Sequence, residues 1–333
     1  MPRQGQPDAL ASALLKDSRP ERALAVASAL RERQRDGSQP NDWQTANTLL
    51  VIGSARRRLG DSAAAEAALT ESAQLIVRTF GREFVSYWQN LAERIDLLVG
   101  TGREPAAMAL IDSERRLLES LQRDVVPEGE TALDPSVISE NLALLTGLKA
   151  RLLVDRGDCG PTARLLSEAI PSMAVKVEVP LLTDDARVIL ADCLLLSGDP
   201  PEALRELDLA RSHYAMLTSY HEAALIARER WAEVQLRHGD PAIADAAVAE
   251  LKAVLAAADD RPLPVVAAAR MTLAEQAIRS ADRVAARQWA TQSAQALSRM
   301  TTSLSARVTA SLRDRQAAIM AATGGETRST TAQ

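Results

Sequence analysis

The stretch "LLSGDPPEALRELDLA", residues 195–210, reads as the end of one helix, a tight stop at Gly198-Asp199, and the start of a second helix. Nearly the same phrase stands at 57–72 ("RRLGDSAAAEAALTES"), at 153–169 ("LVDRGDCGPTARLLSEA") and at 236–251 ("LRHGDPAIADAAVAEL"). A stop that recurs between helical texts of similar length marks an internal repeat, each unit being a helix, a short Gly-Asp turn and another helix.

Aligned on the turn, Gly60, Gly102, Gly157, Gly198 and Gly239 share one slot, which Ser18 takes at "LLKDSRPERALAV" and Ala281 at "IRSADRVAARQWA". The steps between slots are 42, 42, 55, 41, 41 and 42 residues. Five residues after the slot comes a small side chain: Ala23, Ala65, Ala107, Thr162, Ala203, Ala244 and Ala286. A larger apolar residue usually follows four later, as at Leu69, Ile111, Leu166, Leu207 and Val248. Seven residues before the slot, small residues recur at Ala11, Gly53, Ala150, Ala191, Ala232 and Ala274. Small residues at matched places on two helices let the axes come close, and the larger residue one turn away fills the gap. In the third unit, "YWQNLAERIDLLVGTG" brings Trp88, Leu91 and Ala92 into register only if the first helix carries three extra residues, which is the reading adopted.

Prolines respect the same frame, because a helix tolerates them in its first turn. Pro20, Pro105, Pro161, Pro200 and Pro241 open second helices, while Pro135, Pro180 and Pro264 open or precede first ones. Aromatic residues are only 3% of a chain that is 47% hydrophobic, so strand-favouring residues are scarce and good helix formers are plentiful. A single core rarely grows past about 250–300 residues, so uniform text of this length reads as a quasi-linear array. "QRDVVPEGETALDPS", 122–136, accounts for the long step as an exposed loop. Near the C-terminus Leu304, Val308, Leu312 and Ile319 fall on one side, with Arg307, Arg313 and Asp314 elsewhere, predicting a capping helix over 301–320. Residues 1–6 read as a flexible N-terminus and 321–333 as a disordered tail with nothing to bury.

The clearest single matches are Trp88, Leu91 and Ala92 in a first helix, and Gly198, Asp199, Ala203, Leu207 and Ala210 in a turn and second helix. These residues resemble the tetratricopeptide repeat family, whose signature is an aromatic, Leu and a small residue, a Gly-Asp or Gly-Asn turn, then Ala, a large residue and a second Ala. The resemblance covers roughly 7–300, about seven helix pairs. Its period of about 42, against the usual 34, is similar to the longer-helix variety of kinesin light chains and of effector regions in many bacterial regulators and kinases. The family's aromatic positions are here largely Leu, Ala or Arg. The resemblance implies an all-α fold, a right-handed superhelical α-solenoid of antiparallel helix pairs whose first helices line a concave binding face.

Chemistry is sparse. The net charge is −5 and the basic residues, nearly all Arg, are spread along the chain, so no basic stripe for nucleic acid is visible. Cys159 and Cys193, 34 residues apart, suit neither a disulfide framework nor a metal knuckle and fit a reducing compartment. The opening MPRQGQPD has no apolar signal core and no run reaches membrane-spanning length, so a soluble cytoplasmic protein is expected. His213, His221 and His238 lack the partners a metal or acid-base site needs and read as surface or helix-end residues. Gly100-x-Gly102 lacks a preceding strand and a third glycine, and the repeat turn explains it. Cys193 reads as a buried structural thiol, and Trp43, Trp88, Trp231 and Trp289 read as core anchors. No nucleophile and base form a legible constellation, so catalysis, cofactors and metals are not expected.

What remains is a surface. The resemblance implies that the residue after each small first-helix position, and the one four further on, face a partner. The first row is Ser12, Ser54, Arg151, Asp192, Glu233 and Glu275; the second is Lys16, Arg58, Asp155, Leu196, Arg237 and Arg279. Ser54, Arg58, Arg151, Asp155, Asp192, Glu233, Arg237, Glu275 and Arg279 are the candidate contacts. Asp192, Glu233 and Glu275 are expected to form one acidic field for a basic partner segment, with i,i+4 pairs Glu233–Arg237 and Glu275–Arg279 beside it. The first expectation for function is a non-catalytic scaffold binding a protein or peptide on the concave face, with no nucleic acid or membrane partner. The alternative is a sensor or effector region of a bacterial signalling kinase or transcription regulator, favoured by text that starts inside a repeat and by Ala/Arg-rich usage.

Overall fold

A computed structural model describes residues 6–16, 19–37, 42–82, 84–123, 135–176, 180–215, 222–259, 263–299 and 306–324. Among the described residues the chain is all-α, with fifteen α-helices, one 3₁₀ turn and no strand. The helices are α1 (Gln6–Lys16), α2 (Pro20–Asp36), α3 (Asp42–Arg58), α4 (Ser62–Phe80), α5 (Val85–Gly100), α6 (Glu104–Arg123), α7 (Pro135–Asp155), α8 (Cys159–Lys176), α9 (Pro180–Leu196), α10 (Pro200–Tyr214), α11 (Glu222–His238), α12 (Ala244–Ala258), α13 (Pro264–Arg279), α14 (Arg283–Arg299) and α15 (Ala306–Gly324). They divide into two compact units, one ending at Leu152 and the other beginning at Leu153.

The repeated turn has one geometry. Gly60, Gly102, Gly157 and Gly198 have φ between +73° and +87°, and Ala281 takes the same left-handed conformation at +60°. Each closes its helix with two backward hydrogen bonds: at Gly198, the Asp199 N–H reaches the Leu194 carbonyl at 2.9 Å and the Gly198 N–H reaches that of Leu195 at 3.1 Å. At Ala281, the Asp282 and Ala281 N–H groups do the same to Ala277 and Ile278. Orphan carbonyls at the helix end are thereby satisfied. The following Asp opens the next helix: Asp61, Asp199 and Asp282 accept from the backbone N–H three residues on, at 3.3, 3.3 and 2.9 Å. Gly-Asp therefore ends one helix and caps another within two residues. Pro20, Pro135, Pro180, Pro200 and Pro264 are each the first residue of a helix.

Close approach follows from the small residues. Ala23, Ala65, Ala107, Thr162, Ala203 and Ala286 are buried, as are Ala11, Ala150, Ala191, Ala232 and Ala274 from the matching helices. A Cβ on Gly53 would lie 2.6 Å from Leu69 Cγ, so α3 and α4 meet where only a glycine fits. One hydrogen bond repeats with the fold: Ser72 Oγ donates to the Ala46 carbonyl and Ser293 Oγ to that of Ala267, each at 2.8 Å and each spanning 26 residues.

Two registers differ from expectation. Gly239 does not take the left-handed turn, and a 3₁₀ turn at Pro241–Ile243 precedes α12, so Ala247 and Leu251 are the fully buried pair instead of Ala244 and Val248. The extra turn displaces the contact face by three residues. The third unit needs no longer helix: α5 has 16 residues, and Ile95 is buried seven before Gly102 with Trp88 and Leu91 in the same core.

In the first unit the main core gathers Ile76, Trp88, Leu91, Ile95, Ile111 and Leu145, with a second cluster joining Ala11, Ala23, Val51 and Ala55. The second unit has one continuous core from Val188 and Leu207 through Leu251 and Met271 to Leu312 and Ile319 of α15. The helix predicted to cap the array thus packs its apolar side, and it runs on to Gly324, past the expected start of the tail. Most of the expected loop (124–134), the start of the expected capping helix (301–305), the last residues (325–333), the first five, Ser18 and His221 lie outside the described residues. Among the described residues no helix is long and apolar enough to cross a membrane.

Candidate functional site

In the second unit, Asp192, Glu233 and Glu275 each follow a buried small residue (Ala191, Ala232, Ala274) on α9, α11 and α13. One helical step of about 100° turns each side chain off the packed seam on the same side, so three helices deliver carboxylates to one region. A cavity of about 490 Å³ opens there, lined by Asp155, Asp192, Glu229, Arg230, Glu233, Arg237 and Arg315 among polar residues and by Leu195, Leu196, Ile226 and Val265 among apolar ones.

The carboxylates are laced together by arginines. Arg230 Nη1 donates to Glu233 Oε2 at 2.8 Å, and its Nε lies 3.4 Å from Asp192 Oδ1. Arg237 Nη2 bridges Glu233 Oε1 at 3.0 Å and Glu275 Oε2 at 2.8 Å. From α15, Arg315 grips Glu275 with two parallel bonds of 2.6 and 3.1 Å, and its Nη1 lies 3.1 Å from Glu233 Oε1. Bidentate pairing of this kind is the strongest form of carboxylate recognition by arginine. Glu229, one turn before Glu233, is left out: its Oε2 is 4.0 Å from Arg230 Nε, and its Oε1 is buried with no hydrogen-bond partner.

These contacts divide the acids electrostatically. Burial, and then the neighbouring Glu233 charge, push the Glu229 carboxyl up to about 8, with Arg230 and Arg315 offsetting only part. Burial works on Glu233 too, but Arg230, Arg315 and Arg237 outweigh it and hold that carboxyl below its ordinary value. Glu275 is likewise held down by Arg315 and Arg237 against burial. The Arg230 guanidinium is raised, first by Asp192 and against desolvation. At neutral pH the cavity therefore contains ionised, paired carboxylates beside one that holds a proton.

Of the candidate contacts, Asp155, Asp192, Glu233 and Arg237 line this cavity and Glu275 is tied to it. The expected open acidic field is corrected: Glu233 is 6% exposed, and the three acids are neutralised by Arg230, Arg237 and Arg315. The expected Glu275–Arg279 pair is replaced, since Glu275 faces Arg237 and Arg315 while Arg279 Nε bonds Gln276 Oε1 at 2.9 Å. Ser54, expected to face a partner, is 3% exposed, because α1, α2, α4 and α5 all pack around α3. Arg58 is committed to the Leu15 carbonyl at 2.6 Å, and Arg151 belongs to the first unit. His238 ends α11 and lines the cavity; His213 is the next-to-last residue of α10, its Nδ1 2.9 Å from Asp184 Oδ1. Trp88 and Trp231 are buried, the latter beneath the Arg211 guanidinium at 3.7 Å, whereas Trp43 is 40% exposed and is no core anchor.

Glu229, Arg230 and Arg315 were not among the residues the pattern singled out. Glu229, Glu233 and Arg237 stand at four-residue spacing on α11, which was the legible signal for the first. Arg315 carried no signal, because its role depends on where α15 docks. Among the described residues, no group of three or more His, Cys, Asp or Glu is placed to hold a metal ion. No protein-family model matches the chain, and no curated protein matches it either.

Proposed function

We propose that the chain is a non-catalytic binding module of the tetratricopeptide-repeat kind, and that a protein or peptide segment seats in the second unit's cavity along α9, α11 and α13. The observation that carries this reading is that Asp192 and Glu233, at equivalent positions of successive helix pairs, line a roomy cavity, with Glu275 of the next pair tied to it through Arg237 and Arg315. Repeat arrays read extended partners by such adjacent, equivalent positions. Leu196 at the cavity is 61% exposed, an apolar contact available at the edge of a polar site, as binding surfaces require.

A photo-crosslinking residue tests the reading without disturbing the ion network. Placed at Leu196 and, in a second protein, at the apolar and still more exposed Val284 of α14, it is irradiated in cells that produce the protein. A discrete adduct from Leu196 that Val284 does not give is expected. The same adducts from both positions, or none from Leu196, would contradict the proposal.

A further inference from the structure

We infer that the cavity receives one guanidinium or ammonium group of the partner segment and pairs it with Glu229, an assignment that rests on the binding reading above. Glu229 is 2% exposed, lines the cavity, and among the described residues has no hydrogen-bond partner for Oε1. Buried carboxyl oxygens are satisfied in nearly all folded proteins, and an orphan beside open space marks a place for a donor. Charge counting gives the sign of that donor. With Glu229 ionised, Asp155, Asp192, Glu229, Glu233 and Glu275 are five carboxylates to the three arginines Arg230, Arg237 and Arg315, whose contacts shorter than 3.5 Å here go to Asp192, Glu233 and Glu275. The surplus is negative once Glu229 is ionised, so the donor that Oε1 takes is a cation.

Shape agrees. The about 490 Å³ of space exceeds one side chain, and Leu195, Ile226 and Val265 provide apolar wall for the methylene stem of Arg or Lys while its head reaches the carboxylate. Arg315 already shows the mode, with its stem half-buried and its fork on Glu275. Glu229 shares the cavity with Arg230, Glu233, Arg237 and His238 of α11, Asp192 of α9, Asp155 at the end of α7 and Arg315 of α15, and Glu275 of α13 is paired with Arg237 and Arg315 beside them. In that setting it holds a proton at neutral pH, so an arriving cation releases the proton to solvent, and affinity for the cation rises with pH until the carboxyl is ionised without it.

The probes are N-acetyl-arginine amide and its uncharged isostere N-acetyl-citrulline amide, titrated by NMR into the full chain and into its Glu229→Gln variant. The expected result is that the wild-type protein prefers the arginine probe by about tenfold or more, as charge-assisted bonds over neutral ones imply, and that the variant binds both alike. Affinity of the wild type for the arginine probe should also climb severalfold from pH 6 to pH 8; that arm needs no variant and stands even if Glu229→Gln fails to fold. Equal affinity for the two probes, binding of neither, a flat pH profile, or an undiminished preference in the folded variant overturns the assignment. Loss of the preference with the Leu196 adduct intact overturns Glu229's role alone. An arginine preference without any adduct upholds the cation site and overturns the macromolecular partner.

Discussion

Ala203 has no accessible surface and lies on α10, which packs against α9. Three added carbons have nowhere to go, since interiors are packed as densely as organic crystals. Ala203→Leu is expected to cost about 1–3 kcal/mol, read as a lower midpoint in urea unfolding, while Arg205→Ala, on the exposed side of the same helix, leaves the midpoint unchanged. Equal midpoints for the two variants would show the register to be wrong. Such positions were legible because close packing demands smallness at a fixed spacing, and Ala23, Ala65, Ala107 and Ala286 obey it. Glu229 was not legible as a buried orphan: a glutamate on α11 looks like any solvated helix residue until α9, α13 and α15 close around it. Glu233 misled for the same reason, since its neutralising arginines come partly from α15.

The turn is the element that decides the fold, and it was readable wherever Gly was followed by Asp and the left-handed conformation was required. Ala281 occupies that conformation with a Cβ, which costs an L-residue roughly 1–2 kcal/mol relative to glycine. Ala281→Gly is therefore expected to raise stability by about 1 kcal/mol, and Gly198→Ala to lower it by a similar amount, both measured by chemical unfolding. Opposite signs, or no change in either, would contradict the turn geometry. Gly239 shows the limit of the phrase as a guide. Its sequence, Gly-Asp-Pro, matches that at Gly198, yet its N–H bonds the Gln235 carbonyl in the ordinary helical way, no left-handed residue follows, and the chain needs the 3₁₀ turn at Pro241–Ile243 before α12 can start. The same Gly-Asp-Pro text therefore permits both exits.

At the scale of the whole chain, the regular steps in sequence correspond to helix pairs, and the all-α class was readable from composition and spacing together. The cluster around Asp192, Glu233 and Glu275 was readable as a cluster and misread in electrostatic character. Spacing placed Asp192, Glu233, Arg237 and Glu275 together, but the charge balance depended on Arg230 and on Arg315, which approaches from α15, the last described helix. Reversing Glu233 or Glu275 would strand buried arginines, so such variants report on stability as much as on binding. The measurement that bears most directly on the account is hydrogen exchange of the full chain with and without the partner captured at Leu196. Slowed exchange confined to α9, α11, α13 and α15 around the cavity is the predicted result; slowing on α10, α12 and α14 or in the first unit, with those cavity helices unchanged, would contradict it.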